Sequence, residues 1–205
     1  MRPTERIKEA QRVLEAEARA IFASSKKISL NFSKCIDLII DCKGTVVISG
    51  IGKSGNIGKK ITSTLASLGT PSIFLHTSDA FHGDLGILRK DDLLICISNS
   101  GETDELVRLL NYAKRNGIKS IAITGNVNST ISKEASISLN SSVESEACPL
   151  NLAPTCSTSV TMALGDALAS ICAMERGFKE IDFARFHPSG SCLLYTSDAA
   201  DELLG

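Results

Sequence analysis

Two short loops contain the residues whose types and spacing could do chemistry. In the first, GIGKSGNIG, Gly50, Gly52 and Gly55 have the spacing G-x-G-x-x-G and enclose the pair Lys53 and Ser54. The loop follows an apolar run and precedes a helical pattern, so backbone N–H groups at the helix start could bind an anion. The spacing indicates a phosphate site and leaves open which phosphate it binds.

Two kinds of phosphate ligand fit this first loop poorly. A Walker A loop would need glycine at position 47 for the Gly52-Lys53 frame, and Val47 is there instead. A dinucleotide site would have an acidic residue at the end of the second strand, where His76 stands and Asp79 comes late. The triphosphate interpretation therefore fails and the dinucleotide interpretation is weakened. A tight turn that binds nothing stays open, because a lone G-x-G-x-x-G is a weak signal.

The second loop, ISNSGETDE, has three hydroxyl side chains at the start of a predicted helix. Ser98, Ser100 and Thr103 surround Gly101 directly after an apolar run. Hydroxyls and the free amides of a helix N-terminus suit a single phosphate group. Plain N-capping is the alternative, but one cap needs only one hydroxyl. This loop therefore favours a small phosphorylated ligand over a dinucleotide.

Ionisable side chains in glycine- and proline-marked loops are the candidates for proton transfer. They are Lys53, His82, Asp84, Glu102, Glu146 and His187. Each of them in isolation fits a solvated charge or a structural histidine, and only their shared position near predicted strand ends suggests catalysis. Asp104 and Glu105 are interpreted as helix-start charges favoured by the dipole.

The composition excludes several classes of function. The chain has 205 residues, enough for one sizeable domain, and its formal net charge of −1 favours neither nucleic acid nor an anionic membrane as partner. Seven cysteines without a C-x-x-C pair indicate reduced thiols rather than disulfides or a zinc ribbon. The N-terminus lacks an apolar signal core, and no run approaches the ~20 apolar residues of a membrane span. We therefore expect a cytoplasmic protein.

Hydrophobic patterns predict an α/β fold. An N-terminal helical segment (1–43) has apolar positions at spacings of three and four, and its exposed stripe suits a partner chain; Gly44 is expected to end its second helix. Short apolar runs then predict buried parallel strands over 45–49, 72–75, 93–98, 120–124 and 136–139. Helical patterns separate these runs, and two more helices follow over 159–177 and 178–186. This order predicts a doubly wound sheet with ligands beyond the carboxyl ends of its strands.

Five motifs in this order resemble the sugar isomerase (SIS) domain of the arabinose 5-phosphate isomerases. They are GIGKSG, STLASLGTPSIFLHTSDAFHGDLGIL, ISNSGET, EACPLNLAPTCSTSVTMALGDALA and FHPSG. The resemblance implies a three-layer αβα sandwich around a five-stranded parallel sheet, in a single SIS domain over residues 1–192. It also implies a homotetramer that interconverts ribulose 5-phosphate and arabinose 5-phosphate, the first step toward the lipopolysaccharide sugar Kdo, without cofactor or metal.

The resemblance implies two groups of site residues. The phosphate or sugar contacts are Gly52, Ser54, Ser98, Ser100 and Thr103, with Thr155 and Ser157 added less firmly. The catalytic polar groups are Lys53, His82, Glu102, Glu146 and His187. Because His187 lies far along the chain, we expect it to complete the site of a neighbouring subunit.

The expected reaction moves a proton between C1 and C2 of the sugar through an enediol. It needs a base beside the carbon, a donor at the carbonyl oxygen and a grip on the distal phosphate. Glu102 or Glu146 is the expected base, Lys53 or a histidine the stabiliser of oxyanion charge, and His82 or His187 the aid to ring opening or to O1/O2 proton transfer.

Two departures and two alternatives accompany this interpretation. Related proteins often have a pair of CBS domains after the SIS domain, and this chain is expected to be a SIS-only or truncated form. Its tail, residues 193–205, does not continue like the family and is expected to be non-native or disordered. The alternatives are a sugar-phosphate-binding regulatory module without catalysis and an isomerase of another sugar phosphate, such as sedoheptulose 7-phosphate.

Overall fold

A parallel sheet of five strands forms the centre of the fold. The computed structural model describes residues 1–188, and the strand order is β2-β1-β3-β4-β5 with every neighbouring pair parallel. The strands are β1 (Val46–Gly50), β2 (Ser72–Phe74), β3 (Leu93–Ile97), β4 (Lys119–Thr124) and β5 (Ile137–Asn140). All five end at one edge of the sheet, called the carboxyl edge below, and begin at the opposite amino edge.

Helices cover both faces of this sheet. They are α1 (Pro3–Ser25), α2 (Leu30–Asp41), α3 (Gly52–Ser67), α4 (Thr77–Ala80), α5 (Asp104–Arg115), α6 (Thr130–Glu134), α7 (Cys156–Glu175) and α8 (Glu180–Phe186). Helices α2, α3 and α7 pack on one face, with α1 against α7, while α4, α5 and α6 pack on the other. The predicted three-layer αβα sandwich with an N-terminal helical segment is confirmed.

The apolar runs of the central strands fill the core on both faces. In β1, Val46 and Ile48 join the cluster formed with α2, α3 and α7, whereas Val47 joins the cluster formed with α4, α5 and α6. The same alternation separates Ile95 from Leu94 in β3. Successive side chains of a strand point to opposite faces, so an unbroken apolar run requires cover on both. Each fully buried side chain of this size stabilises the fold by about 1.5–3 kcal/mol.

Helix α7 is the one helix among residues 1–188 that is long and apolar enough to cross a membrane by length and composition alone. No membrane-spanning segment was expected from the sequence. Val160, Leu168 and Cys172 of this helix are buried in the core, and Gly165 allows Ile61 of α3 to pack against its backbone. Burial inside the domain accounts for the apolar composition of α7.

The predicted strands agree with the structure, whereas three short helical segments were not predicted. Each predicted strand matches an observed strand to within one residue at either end. Helices α4 and α6 and a 3-10 turn at Asp84–Ile87 were not predicted, because four or five residues are too few to show a helical period. The predicted domain end at residue 192 and the tail 193–205 lie outside the described residues.

One predicted helix end is wrong. Helix α2 ends at Asp41 and its C-cap residue Cys42 is extended, so Gly44 does not close the helix in a left-handed conformation. A Cβ on Gly44 would instead meet the carboxylate of Asp92, which accepts hydrogen bonds from the Thr45 and Arg89 amides. Gly44 is needed for space beside a buried carboxylate.

Candidate active site

The two loops whose residues could bind a phosphate or transfer protons begin side by side at the carboxyl edge. Strands β1 and β3 are neighbours, and Gly50 at the end of β1 pairs with Ile97 at the end of β3. Helix α3 then leaves toward one face of the sheet and α5 toward the other. A crevice forms where connections from adjacent parallel strands diverge in this way, and ligands of open α/β sheets bind there.

The glycines of the first turn serve its tight geometry. A Cβ on Gly55 would stand 2.7 Å from the carbonyl oxygen of Gly50, so α3 can start this close to β1 only with glycine. Gly52 has a φ of +59°, in the left-handed region that favours glycine. The first residue before α3, Ile51, offers no side-chain cap, so the helix-start amides stay available to a ligand. Lys53 is exposed and Ser54 half-buried at this helix start.

The second turn brings its hydroxyl groups together. The Ser98 hydroxyl shares hydrogen bonds with Thr103 (2.9 Å) and Ser100 (3.4 Å), and it accepts one from the Gly101 amide at 3.0 Å. Gly101 has a φ of +70°, which turns the chain back toward Ser98. Thr103 is the N-cap residue of α5, yet its side chain does not cap the helix. Plain N-capping therefore does not explain this cluster, and the first amides of α5 face the same crevice.

The carboxylate of Glu102 accepts hydrogen bonds from the first residue of helix α6. Its Oε1 accepts a hydrogen bond from the Thr130 amide at 2.9 Å, and its Oε2 accepts one from the Thr130 hydroxyl at 2.7 Å. These bonds lower the pKa of Glu102, since they favour its charged form. Both oxygens of this exposed side chain are thus engaged.

The carboxylate of Glu146 is held by the start of helix α7 through one oxygen. Its Oε2 accepts hydrogen bonds from the Thr155 amide (2.8 Å), the Thr155 hydroxyl (3.1 Å) and the Ser157 amide (3.2 Å). Burial raises the pKa of Glu146, but the hydrogen bonds of Ser157 and Thr155 outweigh it and leave the pKa lowered. No hydrogen bond of the described residues reaches Oε1, which is left available.

Helices α3 and α7 bring Glu146 to the level of the first turn. Both helices run from the carboxyl to the amino edge, and Lys60 of α3 forms an ion pair with Asp166 of α7. Lys53 is seven residues before Lys60, and Ser157 is nine residues before Asp166, which corresponds to a rise of about 10–14 Å along each helix. Lys53 and the Glu146-binding residue Ser157 therefore lie at similar levels.

No hydrogen bond or ion pair of the described residues joins either candidate histidine to the hydroxyl turns. His82 is exposed, and the residues that follow it, Gly83 and Asp84, line a cleft of about 690 Å³ with Thr45 and Ile73. Thr45 directly precedes β1, so the segment after α4 leads from the carboxyl edge back toward the amino edge. This cleft is separate from the candidate site.

His187 lies at the amino edge of its own chain. Arg176, at the end of α7, donates hydrogen bonds to Gly69 and Thr70 before β2, and the Phe178 ring lies where a Cβ on Gly69 would be. Phe178 stacks on Phe186, the residue before His187, with 6.0 Å between ring centroids. The imidazole is stacked on Phe183 and its Nδ1 is 2.9 Å from the Phe183 carbonyl oxygen.

Two ionisable residues at the carboxyl edge were missed as candidates. Glu105 was treated as a dipole charge, but it is half-buried in the first turn of α5 and forms no ion pair among the described residues. His76 follows β2, and its buried Nδ1 has no hydrogen-bond partner in the described part of the chain. The sequence signal for His76 was its position at a strand end where a dinucleotide site would have an acid.

No group of three metal-binding side chains occurs within residues 1–188. Six cysteines of this region are free thiols, and Cys192 lies outside it. Burial raises the pKa of Cys35 and of Cys96 to about 12. The polar groups described at the carboxyl edge are thus hydroxyls, amides, carboxylates, Lys53 and His76.

Comparison with known proteins decides the family. The model of the SIS domain matches residues 38–171. The chain belongs to the SIS domain family. A protein of Escherichia coli CFT073, solved in complex with arabinose 5-phosphate, has this SIS fold with a TM-score of 0.88 and 38% identity over 92% of this chain and 100% of its own.

Full-length SIS-domain relatives are closer in sequence. The chain is 51% identical over 185 residues to a probable arabinose 5-phosphate isomerase of Haemophilus influenzae, a match that covers 90% of the chain and 55% of the relative. It is 50% identical to the arabinose 5-phosphate isomerase KdsD of Pseudomonas aeruginosa, covering 90% of the chain and 57% of that protein. The chain therefore spans a little over half the length of these relatives.

Proposed function

We propose that this SIS domain is an aldose–ketose isomerase that interconverts D-ribulose 5-phosphate and D-arabinose 5-phosphate. The observation that supports it best is the hydroxyl cluster of Ser98, Ser100 and Thr103 beside an uncapped helix start at the crevice between β1 and β3. Such a cluster suits one phosphate group of a small sugar. The relatives at about half identity are named arabinose 5-phosphate isomerases.

The phosphate binds between the two turns in this proposal. The amides at the starts of α3 and α5 and the hydroxyls of Ser54, Ser98, Ser100 and Thr103 supply donors, and the positive ends of both helix dipoles favour the dianion. Gly52 is the position at which a side chain would strain the first turn. Thr155 binds Glu146 instead of facing this turn.

Glu146 is the base in this proposal. Its Oε1 has no hydrogen bond from the described residues, whereas both oxygens of Glu102 are engaged by Thr130. The carboxylate removes the proton from C2 of the open-chain aldose while a donor protonates O1, which gives the 1,2-enediol. Transfer of the proton to C1 and loss of the O2 proton then give the ketose. Lys53 stabilises the developing charge on oxygen. Glu105, in the first turn of α5, is a second acid–base group in this proposal.

The histidines reach the site from other subunits of a homotetramer. His187 lies at the amino edge of its own chain, so it assists ring opening or O1/O2 proton transfer only if a neighbouring chain presents it, and we extend the same proposal to His82. Ile7, Leu14 and Ile21 form an exposed apolar stripe on α1, which suits burial against another copy. We further propose that the protein acts in the cytoplasm and that its product feeds Kdo synthesis.

Incubation of the purified chain with ribulose 5-phosphate tests this function. The expected result is arabinose 5-phosphate detected by NMR, with deuterium incorporated at C1 or C2 when the reaction runs in heavy water. Binding without deuterium incorporation would support a regulatory SIS module instead. Turnover of sedoheptulose 7-phosphate in preference to the pentose would support a different isomerase.

A further inference from the structure

We propose that the Ser157 hydroxyl is a positioning group for the carboxylate of Glu146 and does not bind the phosphate. The inference rests on the proposed isomerase function, in which Glu146 takes the proton. It assigns Ser157 a role different from the phosphate or sugar contact that the family resemblance implies.

The first observation is that this hydroxyl is buried and unpaired. Ser157 is 3% exposed, and its Oγ has no hydrogen-bond partner in the described part of the chain. Buried polar groups are nearly always paired, because an unpaired one lowers stability. The same position with alanine would keep the packing and improve helix propensity. Ser24 is buried and unpaired in the same way, so burial alone assigns no function, and the surroundings of the Ser157 hydroxyl decide.

The second observation is what surrounds the hydroxyl. The Ser157 amide donates a hydrogen bond to Oε2 of Glu146 at 3.2 Å, and the amide and hydroxyl of Thr155 donate two further hydrogen bonds to the same oxygen. The Ser157 hydroxyl belongs to the same residue as this amide donor, and it forms no hydrogen bond of its own in the described part of the chain. Ser157 also helps to lower the pKa of Glu146. It is thus a buried donor beside a carboxylate whose other oxygen is free.

This arrangement suits a group whose charge changes during turnover. A serine hydroxyl rotates among staggered positions, so it can donate to the carboxylate while Glu146 is charged. When Glu146 holds the substrate proton, the hydroxyl returns to its unpaired position. The hydroxyls assigned to the phosphate lie at the start of α3 and in the turn between β3 and α5, whereas the Ser157 hydroxyl lies at the start of α7 beside the Glu146 carboxylate.

Ser24 provides a matched control. It is also a helical serine, 5% exposed, whose Oγ is buried without a partner in the described residues, and it lies in α1 outside the proposed machinery. Ser24→Ala and Ser157→Ala therefore remove the same kind of group from the same kind of environment. Ser24→Ala is expected to keep or raise the melting temperature by about 2 °C, whereas Ser157→Ala, which also weakens the stabilisation of the charged Glu146, is expected to stay within about 2 °C of wild type.

Steady-state kinetics then separate positioning from binding. Ser157→Ala is expected to lower kcat by about 10- to 100-fold, as expected for a misplaced catalytic group, with KM within about twofold of wild type. Ser24→Ala leaves both constants unchanged. A raised KM with kcat unchanged would show a phosphate contact and overturn the proposal. A lowered melting temperature with lost activity would show a structural role, and unchanged kinetics would also overturn it.

Carbon-13 NMR of the glutamate carboxyl groups provides a readout that does not depend on activity, so failure of the isomerase function is distinguishable. Ser157→Ala should raise the pKa of Glu146, whose signal is assigned by its loss in Glu146→Gln, and Ser24→Ala should not change it. An unchanged Glu146 titration in Ser157→Ala would contradict the proposal. The other titratable groups around this loop are Arg12, Glu17 and Arg19 of α1, Lys27 after it, Cys156 of α7, and Glu144 and Cys148 of the loop itself.

Discussion

Gly55 lies against the backbone of Gly50, so that a Cβ on Gly55 would stand 2.7 Å from the Gly50 carbonyl oxygen. Gly50 is fixed by its pairing with Ile97 and cannot withdraw. Gly55→Ala should therefore lower the free energy of unfolding by about 1–3 kcal/mol, as measured by urea denaturation. Gly86→Ala is the control, since a Cβ there meets nothing within 4 Å, and its effect should stay within about 0.5 kcal/mol. Equal losses in both variants would contradict this explanation of the first turn.

The hydroxyl turn predicts two different effects for its serines. Ser98→Ala removes the acceptor of the buried Gly101 amide, which should lower the free energy of unfolding by about 1–3 kcal/mol and also raise KM. Ser100→Ala removes two long bonds, one from the exposed Glu102 amide at 3.3 Å and one with the Ser98 hydroxyl at 3.4 Å, so KM should rise with little loss of stability. Kinetics and urea denaturation of both variants measure these effects. If KM were unchanged in both variants, the phosphate would not bind at this turn.

The placement of these hydroxyls could be predicted from the sequence, and the reason is topological. Ser98 and Gly50 each follow an apolar run that predicts a buried parallel strand, and the carboxyl ends of neighbouring parallel strands meet at one edge. The local pattern thus contains enough information to bring the first and second turns together. The glycine spacing alone could not show that Gly50 and Gly55 serve backbone packing, because this depends on how closely α3 approaches β1.

The partners of the two glutamates could not be predicted in the same way. Glu102 binds Thr130, and Glu146 binds Thr155 and Ser157 after its loop folds back on the start of α7. Neither pairing follows a helical or strand period, since each depends on loop conformation. For the same reason the sequence could not show which carboxylate keeps a free oxygen.

The two glutamates should differ as bases. Glu146→Gln is expected to lower kcat by roughly 10²- to 10⁴-fold, the usual contribution of a general base, because the amide cannot accept the proton. Glu102→Gln should have a smaller effect on kcat, since its carboxylate is bound to Thr130 at the start of α6. Steady-state kinetics measure both. If Glu102→Gln lowered kcat more than Glu146→Gln, Glu102 and not Glu146 would be the base.

The lowered pKa of Glu146 also predicts acid sensitivity. A carboxyl group whose pKa is lower in the folded state stabilises the fold above its unfolded pKa of about 4.3, and this stabilisation is lost as pH falls through the folded value. The urea midpoint of the wild type should therefore fall more steeply below this pH than that of Glu146→Gln. Parallel curves for the two proteins would contradict the hydrogen-bonding pattern at α7.

His187 and Lys53 of one active site should come from two different chains. Lys53 lies at the start of α3 on the carboxyl edge, whereas the Phe178–Phe186 stack places His187 at the amino edge. If one chain presents His187 to the site of another, mixing Lys53→Ala with His187→Ala chains under subunit exchange should restore about a quarter of wild-type activity. In an equal mixture half of the sites have an intact Lys53 and half have an intact His187, so about a quarter have both. Each variant mixed with itself is the control. No recovery after verified exchange would place both residues in a site formed by one chain.

Cys148 should be a reactive thiol of this loop. Burial raises its pKa, but the backbone amides of Ala153 and Leu152, with Leu150 and Asn151, outweigh this effect and leave the pKa lowered. Cys42 is likewise half-buried, but burial raises its pKa. Since the thiolate is the nucleophile, iodoacetamide at neutral pH should label Cys148 before Cys42, as measured by peptide mass spectrometry.

Labelling of Cys148 should also lower the proposed isomerase activity. An adduct on its sulfur displaces the amides of Leu152 and Ala153, and the side chain of the adjacent Asn151 accepts a hydrogen bond from the Glu146 amide at 2.6 Å. The position of Glu146 thus depends on the loop that the thiol stabilises. Cys148→Ser is the control, because it should remove the fast phase of inactivation while retaining most of the activity. Equal labelling of Cys42 and Cys148, or full activity of the Cys148 adduct, would contradict this coupling.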